Sequence, residues 1–417
     1  TPDKAGEGGA GAVYRNGKTF YDCKVRLVLT AVNMGNKDNG FYALSLGSKA
    51  RPELLCMGPY VFYLGALKYG VTFWGSHSAG CKPLKARDAN TWLLTRQSSK
   101  EAPNYYIAKG LKEFKALTTL NPHKDYNWLQ AELVTFRQQD GSYSKGILYK
   151  PENFDSTKKY PVLINYYEQL TLCLNNYPVA DYAANAHISV PWFVSRGYLV
   201  FLPDIYYNKK YLGEGALNAV EGAASWLARQ PYVDSTKMGI AGHSFGGSMT
   251  NYIVTHSTHF AAAFCGAAGN SDIISRSLLP LDDGSVQLRQ YEQEFQHTIW
   301  ETPEKWNEAS PIMSIDKVVT PYLIFHNKME GVQFQQATEL FVALRRLDKK
   351  VWLLQYDEGG HSVYKRRDCR DLTIRITQFF DHYLKGAPPP IWMTTGIRAE
   401  LKGKVTGYEF DTTGRQP

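Results

Sequence analysis

The sequence predicts an α/β protein in which a β-rich first part precedes a mostly parallel sheet with helices on both faces. Two observations predict this arrangement. Short runs of aromatic and β-branched residues fill residues 1–125, whereas apolar strands alternate with amphipathic helices from residue 126 onward. We therefore predict three segments: a β-rich segment at 1–125, an α/β domain at 126–388 and a C-terminal tail at 389–417.

The β-rich segment is defined by runs of strand length that turns separate. In chain order they are VRLVLTAV, GFYALSL, YVFYLGAL, GVTFWGS, NTWLLTR and NYYIAKG. Strands of this length at this spacing are typical of propeller blades or of a sandwich.

The α/β domain opens with a hairpin, because AELVTF and GILYKPENF flank a turn on Asp140 and Gly141. At least six apolar strands are then predicted, at 160–167, 197–205, 238–242, 260–268, 320–327 and 350–357. Helices are predicted where apolar residues recur at helical spacing, at 215–230, 335–347 and 370–384. Continuous apolar strands separated by helices indicate a mostly parallel sheet that is covered on both faces.

Composition excludes several classes of partner and site. The net charge of +8 is mild for 417 residues, and no run of Lys or Arg indicates nucleic acid as a partner. No stretch approaches the roughly 18 apolar residues that a membrane span requires. The six cysteines lack C-x-x-C spacing, so they predict neither a disulfide framework nor a zinc site.

The stretch AGHSFGG, residues 241–247, holds a Ser between two glycines, after a predicted strand and before a helix. In this context G-x-S-x-G is the nucleophile turn of the α/β-hydrolase fold, whose strain lifts the Ser hydroxyl to the C-terminal end of the sheet. Side chains at Gly242 and Gly246 would collide with neighbouring backbone. We predict Ser244 as a nucleophile; the alternative is an idle Ser in a Gly-rich turn.

A Ser hydroxyl needs a general base near neutral pH, and in this fold the chain order is Ser, acid, His. His361 lies on a loop after the last predicted strand, where Gly359 and Gly360 let the chain turn. His243 abuts the nucleophile but is expected to point away from it, and His326 is expected to be packed at a strand end. We therefore predict His361 as the general base.

The acid should follow the preceding strand and reach His361. TPYLIFHNKMEGVQF offers Glu330, whose carboxylate would hold the imidazole in the right tautomer and stabilise its protonated form. The alternative for Glu330 is a solvated surface position. Asp357 is the rival acid, although it lies on the same loop as His361, four residues before it.

The tetrahedral intermediate of acyl transfer needs hydrogen-bond donors for its oxyanion. One predicted donor is the backbone N–H of Phe245, which follows the nucleophile. The phenol of Tyr167, in the loop after the first apolar strand, is the second; the alternative for Tyr167 is an aromatic residue packed at a strand end.

Together these residues make the chain resemble the serine peptidases of the prolyl oligopeptidase family, and most closely a bacterial subgroup. The resemblance extends from about residue 90 to 396 and includes YPVLINYYE, SRGYLVFLPDI, GHSFGGS, TPYLIFHNK and YDEGGHSV. That family joins a β-propeller to an α/β-hydrolase domain, which implies that 126–388 is the catalytic domain and that 1–125 holds partial propeller blades. The resemblance also makes Ser244 the nucleophile, His361 the base, Glu330 the acid and Tyr167 the oxyanion tyrosine.

The chain departs from the family's pattern at its site. The acid position, four residues after the His of the strand-end motif, holds Glu where the family usually has Asp. Glu168 and Gln169 stand where many members have two glycines after the tyrosine. The segment NSDIISRSLL lacks the aromatic residues that form a proline-stacking pocket in some members. An apolar pocket is expected there from four residues, namely Ile273, Ile274, Leu278 and Leu279.

The β-rich segment is also much shorter than a full propeller, and two or three blades would leave exposed sheet edges. We expect that the chain is a truncated or proteolysed product, or that other protein completes the propeller. A homo-oligomer and a further N-terminal propeller segment both stay open as partners.

The sequence thus predicts a serine peptidase that hydrolyses oligopeptides through an acyl-enzyme on Ser244, with no metal or organic cofactor. Two alternatives stay open: a carboxylesterase on the same fold, and a catalytically degenerate hydrolase domain used for binding. The resemblance implies a periplasmic or secreted location, because many bacterial relatives are exported.

Overall fold

The computed structural model describes residues 12–15, 18–21, 26–62, 83–182, 188–206, 211–281 and 283–417. Its chain divides into two compact units. The first unit ends at Asp125 and also includes Leu172–Pro178, whereas the second comprises Tyr126–Thr171 and Val179–Pro417. Nothing in the sequence analysis indicates that Leu172–Pro178 belongs with the first unit.

The first unit is built from short antiparallel strands. They are β1 (Ala12–Arg15), β2 (Lys18–Tyr21), β3 (Arg26–Val32), β4 (Asn39–Ser45), β5 (Glu53–Gly58), β6 (Leu84–Lys85), β7 (Thr91–Ser98), β8 (Glu101–Lys109) and β9 (Glu113–Ala116). Strands β1 and β2 pair with each other, β3 to β5 form a three-stranded sheet, and β6 to β9 form a four-stranded sheet. The predicted strands VRLVLTAV, GFYALSL, NTWLLTR and NYYIAKG are confirmed; GVTFWGS and most of YVFYLGAL lie outside the described residues.

Side-chain alternation explains why these segments form strands. In β8 every second residue from Ala102 to Ala108 is buried, while the residues between them are more exposed. This is the period of a strand that turns one face to a core. The buried residues of this core are Phe41, Phe62, Leu94, Tyr106, Ala108 and Leu111.

The second unit contains an eight-stranded sheet. Its strands are β10 (Leu129–Arg137), β11 (Tyr143–Pro151), β12 (Tyr160–Tyr166), β13 (Leu199–Pro203), β14 (Val233–His243), β15 (Ala262–Gly266), β16 (Tyr322–Phe325) and β17 (Val351–Leu354). Their order is β10-β11-β13-β12-β14-β15-β16-β17. Pairing is antiparallel from β10 to β13 and parallel from β13 to β17. The predicted hairpin and the mostly parallel sheet are therefore confirmed.

Helices connect the parallel strands. The α-helices of the described residues are α1 (Val190–Val194), α2 (Leu212–Ala228), α3 (Phe245–His256), α4 (Ile273–Leu278), α5 (Leu288–Phe295), α6 (Pro303–Ala309), α7 (Gly331–Arg346), α8 (Arg366–Lys385) and α9 (Ile391–Thr394). Short 3₁₀ turns occur at Leu170–Cys173, Pro311–Lys317, Lys328–Glu330 and Ala399–Leu401. The predicted helices correspond to α2, α7 and α8, of which α7 and α8 each begin four residues earlier than predicted.

Strand β14 shows that helices cover both faces of the sheet. Ile240 belongs to a buried cluster that also contains residues of α2, α3 and α7. A side chain at the neighbouring Gly239 would instead meet Phe380 and Leu384 of α8. Because successive residues of a strand point to opposite faces, α8 lies on the face opposite to α2, α3 and α7.

The sequence analysis did not predict helices α4, α5 and α6. They lie between β15 and β16 and comprise six, eight and seven residues, respectively. Helices this short offer little periodicity from which to recognise them. Within the described parts of the chain, no helix combines the length and the apolar character that crossing a bilayer requires.

Candidate active site

Ser244 alone links β14, which ends at His243, to α3, which begins at Phe245. Its backbone has φ 56° and ψ −118°, a conformation that residues with a Cβ rarely adopt. The N–H of Ser244 donates to the carbonyl of Gly266 at 2.7 Å, and its own carbonyl accepts from the N–H of Ser248 at 2.9 Å. The turn thus holds Ser244 at the carboxyl end of β14, where the sequence predicts it.

The glycines beside Ser244 allow the backbone to approach closely. A Cβ at Gly242 would lie 2.1 Å from the carbonyl oxygen of Gly246. A Cβ at Gly246 would lie 2.4 Å from the carbonyl oxygen of Tyr166, the last residue of β12. Real Cβ atoms do not approach backbone this closely, so the predicted collision at both glycines is confirmed.

Glu330 lies between two imidazoles. Its Oε1 is 2.6 Å from Nδ1 of His361, and its Oε2 is 2.8 Å from Nε2 of His326. Glu330 ends the 3₁₀ turn after β16, and His361 lies on the loop after β17. Because Nδ1 of His361 faces the carboxylate, Nε2 is the ring nitrogen that can take a proton from a hydroxyl.

The environment of Glu330 favours its ionised form. Burial acts to raise the pKa of this carboxyl group, but the contacts with the imidazoles of His326 and His361 outweigh burial and lower that pKa to about 2. Glu330 therefore carries its charge throughout the neutral range. A negative charge at this position stabilises an imidazolium at His361.

The rival acid Asp357 lies in a different environment. Its side chain is 65% exposed and pairs with Nζ of Lys402 at 2.5 Å. The lysine lowers the pKa of Asp357 through its hydrogen bond and its charge. Of the two acids that the sequence offered, the structure brings Glu330 to His361.

Asn327 fixes the loop that carries His361. Its buried side chain donates to the carbonyl of Gly360 at 2.9 Å and accepts from the N–H of Tyr356 at 3.0 Å. The loop passes so close that a Cβ at Gly359 would lie 2.0 Å from Nδ2 of Asn327. Asn327 was not predicted from the sequence. Its position directly after an apolar strand is the sequence feature that could have pointed to a role at the site.

His326 and His243 have contacts that the sequence did not reveal. His326 is fully buried, as expected for a packed residue, but it also contacts Glu330, four residues later in the chain. His243 is 1% exposed, and its ring centroid lies 4.8 Å from that of His361. Both histidines therefore belong to the surroundings of the candidate base.

Tyr167 and Phe245 lie beside Ser244. The phenol of Tyr167, which directly follows β12, forms a hydrogen bond with the side chain of Ser244, and its ring centroid is 5.8 Å from that of Phe245. Burial raises the pKa of Tyr167, so the phenol keeps its proton and can donate it. The roles of Tyr167 and of the Phe245 N–H at an oxyanion stay predictions.

The residues expected to line an apolar pocket differ in burial. Ile273 is fully buried in a cluster with Tyr291 and Trp306, whereas Leu278 and Leu279 are 44% and 41% exposed. A shared apolar pocket of Ile273, Ile274, Leu278 and Leu279 stays a prediction. Among the described residues, no group of His, Cys, Asp or Glu side chains is arranged to hold a metal ion.

One family model and several curated proteins are similar to this chain. Residues 188–387 match the model of the prolyl oligopeptidase family. The chain is 25% identical over 302 residues to the uncharacterized peptidase YuxL of Bacillus subtilis, an alignment that covers 67% of this chain and 43% of YuxL. It is 24% identical over 300 residues to a rice protein named "Probable glutamyl endopeptidase, chloroplastic" (Oryza sativa subsp. japonica), with 65% of this chain and 30% of that protein covered.

The fold is similar to that of dipeptidyl peptidase 4 of Porphyromonas gingivalis. The TM-score is 0.65 at 18% identity, and the match covers 87% of this chain and 49% of that protein. The chain thus spans less than half the length of each of these relatives.

Proposed function

From the match of residues 188–387 to the prolyl oligopeptidase family, we propose that this chain is a serine peptidase acting on oligopeptides. The observation that carries the proposal is the 2.6 Å contact between Glu330 and His361, on two loops at the sheet end where Ser244 lies. A strained Ser hydroxyl, a carboxylate and an imidazole, in this chain order, are the parts of a catalytic triad.

The first chemical step forms an acyl-enzyme. Oγ of Ser244 attacks the carbonyl carbon of the scissile peptide bond, and Nε2 of His361 accepts the hydroxyl proton. His361 then gives this proton to the departing amine nitrogen as the C–N bond breaks. Glu330 keeps the imidazole in the tautomer with Nδ1 protonated and stabilises its charged form throughout the step.

The second step returns the enzyme to its starting state. A water molecule gives a proton to His361 and attacks the acyl carbon, and Ser244 leaves with the proton that His361 returns. In both steps the tetrahedral oxyanion accepts hydrogen bonds from the phenol of Tyr167 and the N–H of Phe245. Tyr167 directly follows β12, and Phe245 directly follows Ser244 as the first residue of α3.

The test begins with covalent labelling. We expect a fluorophosphonate to label the wild-type chain, and Ser244→Ala to abolish both the labelling and the hydrolysis of a peptide p-nitroanilide. Ser248→Ala, one helical turn further along α3, is the matched control and should keep both. A wild-type chain that is folded but neither labelled nor active would favour the degenerate binding domain.

Relative rates on esters and amides decide between the peptidase and the carboxylesterase. A peptidase should have a kcat/KM for a peptide p-nitroanilide comparable to that for a short p-nitrophenyl ester. Rapid turnover of the ester with no detectable cleavage of any peptide would instead support the carboxylesterase.

Cleavage preference depends on the residues that line the site. The names of the relatives describe different preferences, glutamyl endopeptidase for one and dipeptidyl peptidase for another, so similarity alone assigns none to this chain. A periplasmic or secreted location is a further part of the proposal, supported by the family resemblance, and fractionation of the source cells tests it.

A further inference from the structure

The segment between β15 and β16 places a buried cation near the candidate triad. Arg276 lies in α4 and is 6% exposed. Its Nη1 is shielded from solvent and has no hydrogen-bond partner among the residues that the structure describes. A buried guanidinium without an acceptor is costly, because the group always carries its charge and presents five donors. Burial accordingly lowers the pKa of Arg276.

Helix α4 holds Arg276 in a fixed position. The side chain of Asp272 caps the helix by accepting from the N–H groups of Ile274 at 2.9 Å and Ser275 at 3.2 Å. Ile273 anchors the same turn in the buried cluster with Tyr291. Capping and burial together hold this short helix in place, and Arg276 itself is 6% exposed.

The same segment is tied to the helix that follows Glu330. The N–H of Asp272 donates to Oε1 of Gln336 at 2.8 Å, and the hydroxyl of Ser271 donates to the carbonyl of Gln336 at 2.9 Å. Gln336 belongs to α7, which begins at Gly331, directly after Glu330. The charge of Glu330 acts to raise the pKa of Arg276, against the effect of burial.

Glu330 does not satisfy Arg276 as a hydrogen-bond partner. One oxygen of Glu330 faces His361 and the other faces His326, at 2.6 and 2.8 Å. The second neighbour that influences Arg276 is the phenol of Tyr291, whose pKa burial raises to about 12, so that it is neutral near pH 7. The side chain of Asn270 is a hydrogen-bond partner of this phenol. The charge of Glu330 thus acts on Arg276 through space, but the described residues leave Nη1 of Arg276 without a hydrogen-bond acceptor.

We propose that Arg276 binds a carboxylate of the peptide substrate, so that the enzyme prefers substrates with a negative charge next to the scissile bond. This inference rests on the proposed peptidase function. A carboxylate supplies the hydrogen-bond acceptor that Nη1 of Arg276 lacks, and its two oxygens match the planar donor fork of Arg. A neutral carbonyl oxygen would accept one hydrogen bond, but this bond would be weaker than the charge-assisted bonds of a carboxylate.

Two kinds of substrate present such a carboxylate: an acidic side chain in the residue before the scissile bond, and a free C-terminal carboxylate just after it. Two matched substrate pairs separate them. The first pair is a blocked tripeptide p-nitroanilide that ends in Glu or in Gln. The second is a quenched fluorescent peptide with a neutral residue before the scissile bond and either a free or an amidated C-terminus.

We expect that, in one of the two substrate pairs, the charged substrate has a kcat/KM about 10- to 100-fold higher than the neutral substrate. This is the range for hydrogen bonds to a charged group. Arg276→Gln should bring that ratio to about one, while kcat/KM for the neutral member changes less than about threefold. Arg276→Lys keeps the charge but loses the planar fork, so its ratio should lie between those of the wild type and Arg276→Gln. Arg289→Gln, on the exposed surface of α5, removes the same charge and should leave the ratio unchanged.

The possible failures can be told apart. If the wild type is labelled at Ser244 and cleaves neutral substrates, but prefers neither charged member, the role of Arg276 is overturned while the peptidase function stands. If the chain is neither labelled nor active on any substrate, the proposed function itself fails. Even if Arg276→Gln does not fold, the wild-type ratios of kcat/KM between charged and neutral substrates decide whether a negative charge is preferred. A wild-type preference that Arg276→Gln retains in full would likewise overturn the inference.

Discussion

Glu330 has one methylene more than the aspartate that is usual in the prolyl oligopeptidase family, which the chain resembles, and this extra length lets it contact two imidazoles. Its two oxygens contact imidazoles that come from different parts of the chain, His326 at the end of β16 and His361 on the loop after β17. An aspartate on the same backbone would extend less far and would lose one of these contacts. The length of the side chain is thus matched to a three-residue arrangement of His326, Glu330 and His361.

Substitutions at Glu330 test this match. Glu330→Asp is expected to lower kcat by about 10- to 100-fold, and Glu330→Gln by about 10²- to 10⁴-fold, because an amide no longer stabilises the charged imidazole. Steady-state kinetics on a neutral peptide p-nitroanilide provide the measurement. Asp357→Asn serves as the comparison and should stay within about twofold of wild type, since Asp357 pairs with Lys402. An equal loss in Asp357→Asn and Glu330→Gln would contradict the assignment of the acid.

Glu330 also makes stability depend on pH. Its pKa falls from 4.5 in the unfolded chain to about 2 in the folded one, which corresponds to on the order of 3 kcal/mol of stabilisation. Because the folded pKa is the lower one, this contribution is complete above pH 4.5 and is lost as the pH falls toward 2. Wild type should therefore exceed Glu330→Gln in free energy of unfolding at pH 7, and the difference should shrink at pH 3.

Urea unfolding followed by circular dichroism at both pH values measures that difference. Glu152→Gln is the control, because Glu152 is exposed and its replacement should leave the free energy of unfolding nearly unchanged at either pH. A gap between wild type and Glu330→Gln that stays constant from pH 7 to pH 3 would show that the carboxylate is not stabilised in the folded state.

Single residues differ in how far the sequence could reveal them. Ser244 was predictable because the turn it occupies has a local signature of two glycines, a strand and a helix. The contact of Glu330 with His326, the hydrogen bonds of Asn327 and the burial of Arg276 depend on segments that are distant in sequence. No local pattern encodes such contacts, so they emerge only once the sheet brings the loops together.

The loop after β17 shows how a whole element positions one side chain. Gly359 and Gly360 are adjacent, yet their surroundings differ sharply. A Cβ at Gly359 would lie 2.0 Å from Nδ2 of Asn327, whereas a Cβ at Gly360 would meet nothing closer than 3.8 Å. Asn327 cannot easily move aside, because it is fully buried and bonded to the loop at both ends of its amide.

The two glycines therefore provide a matched pair of variants. Gly359→Ala is expected to displace the loop, to lower kcat by about tenfold or more and to destabilise the chain by about 1–3 kcal/mol. Gly360→Ala should keep kcat within about twofold and the melting temperature close to that of wild type. Kinetics and thermal unfolding of the purified variants test both expectations. Similar behaviour of the two variants would contradict the role given to Asn327 in holding the loop.

The elements of the sheet were more predictable than the connections between them. Strands β12 to β17 are apolar along most of their length and helices α2, α7 and α8 show a clear apolar face, so sequence periodicity indicated them. Helices α4 to α6 are short, and tertiary packing in the cluster around Ile273 and Trp306 holds them in place. This is the region that carries Arg276, so the least predictable elements bear the residue proposed to set specificity.

The whole chain consists of two units, each with a core of its own. The buried cluster around Phe41 and Leu94 lies in the first unit, and the cluster around Ile164 and Ile240 lies in the second. A separate core is what allows a unit to unfold as a cooperative block. Ser244, Glu330 and His361 all belong to the second unit, so the stability of that unit governs whether the candidate site exists.

Calorimetry of the intact chain should therefore resolve two transitions rather than one. Covalent reaction of Ser244 with a fluorophosphonate modifies the second unit, and it should raise the temperature of one transition while leaving the other within about 1 °C. In Ser244→Ala, which has no hydroxyl to react, neither transition should move. A single transition that shifts as a whole on labelling would show that the two cores unfold together. The β-rich unit would then contribute directly to the stability of the site, although it supplies none of its three proposed triad residues.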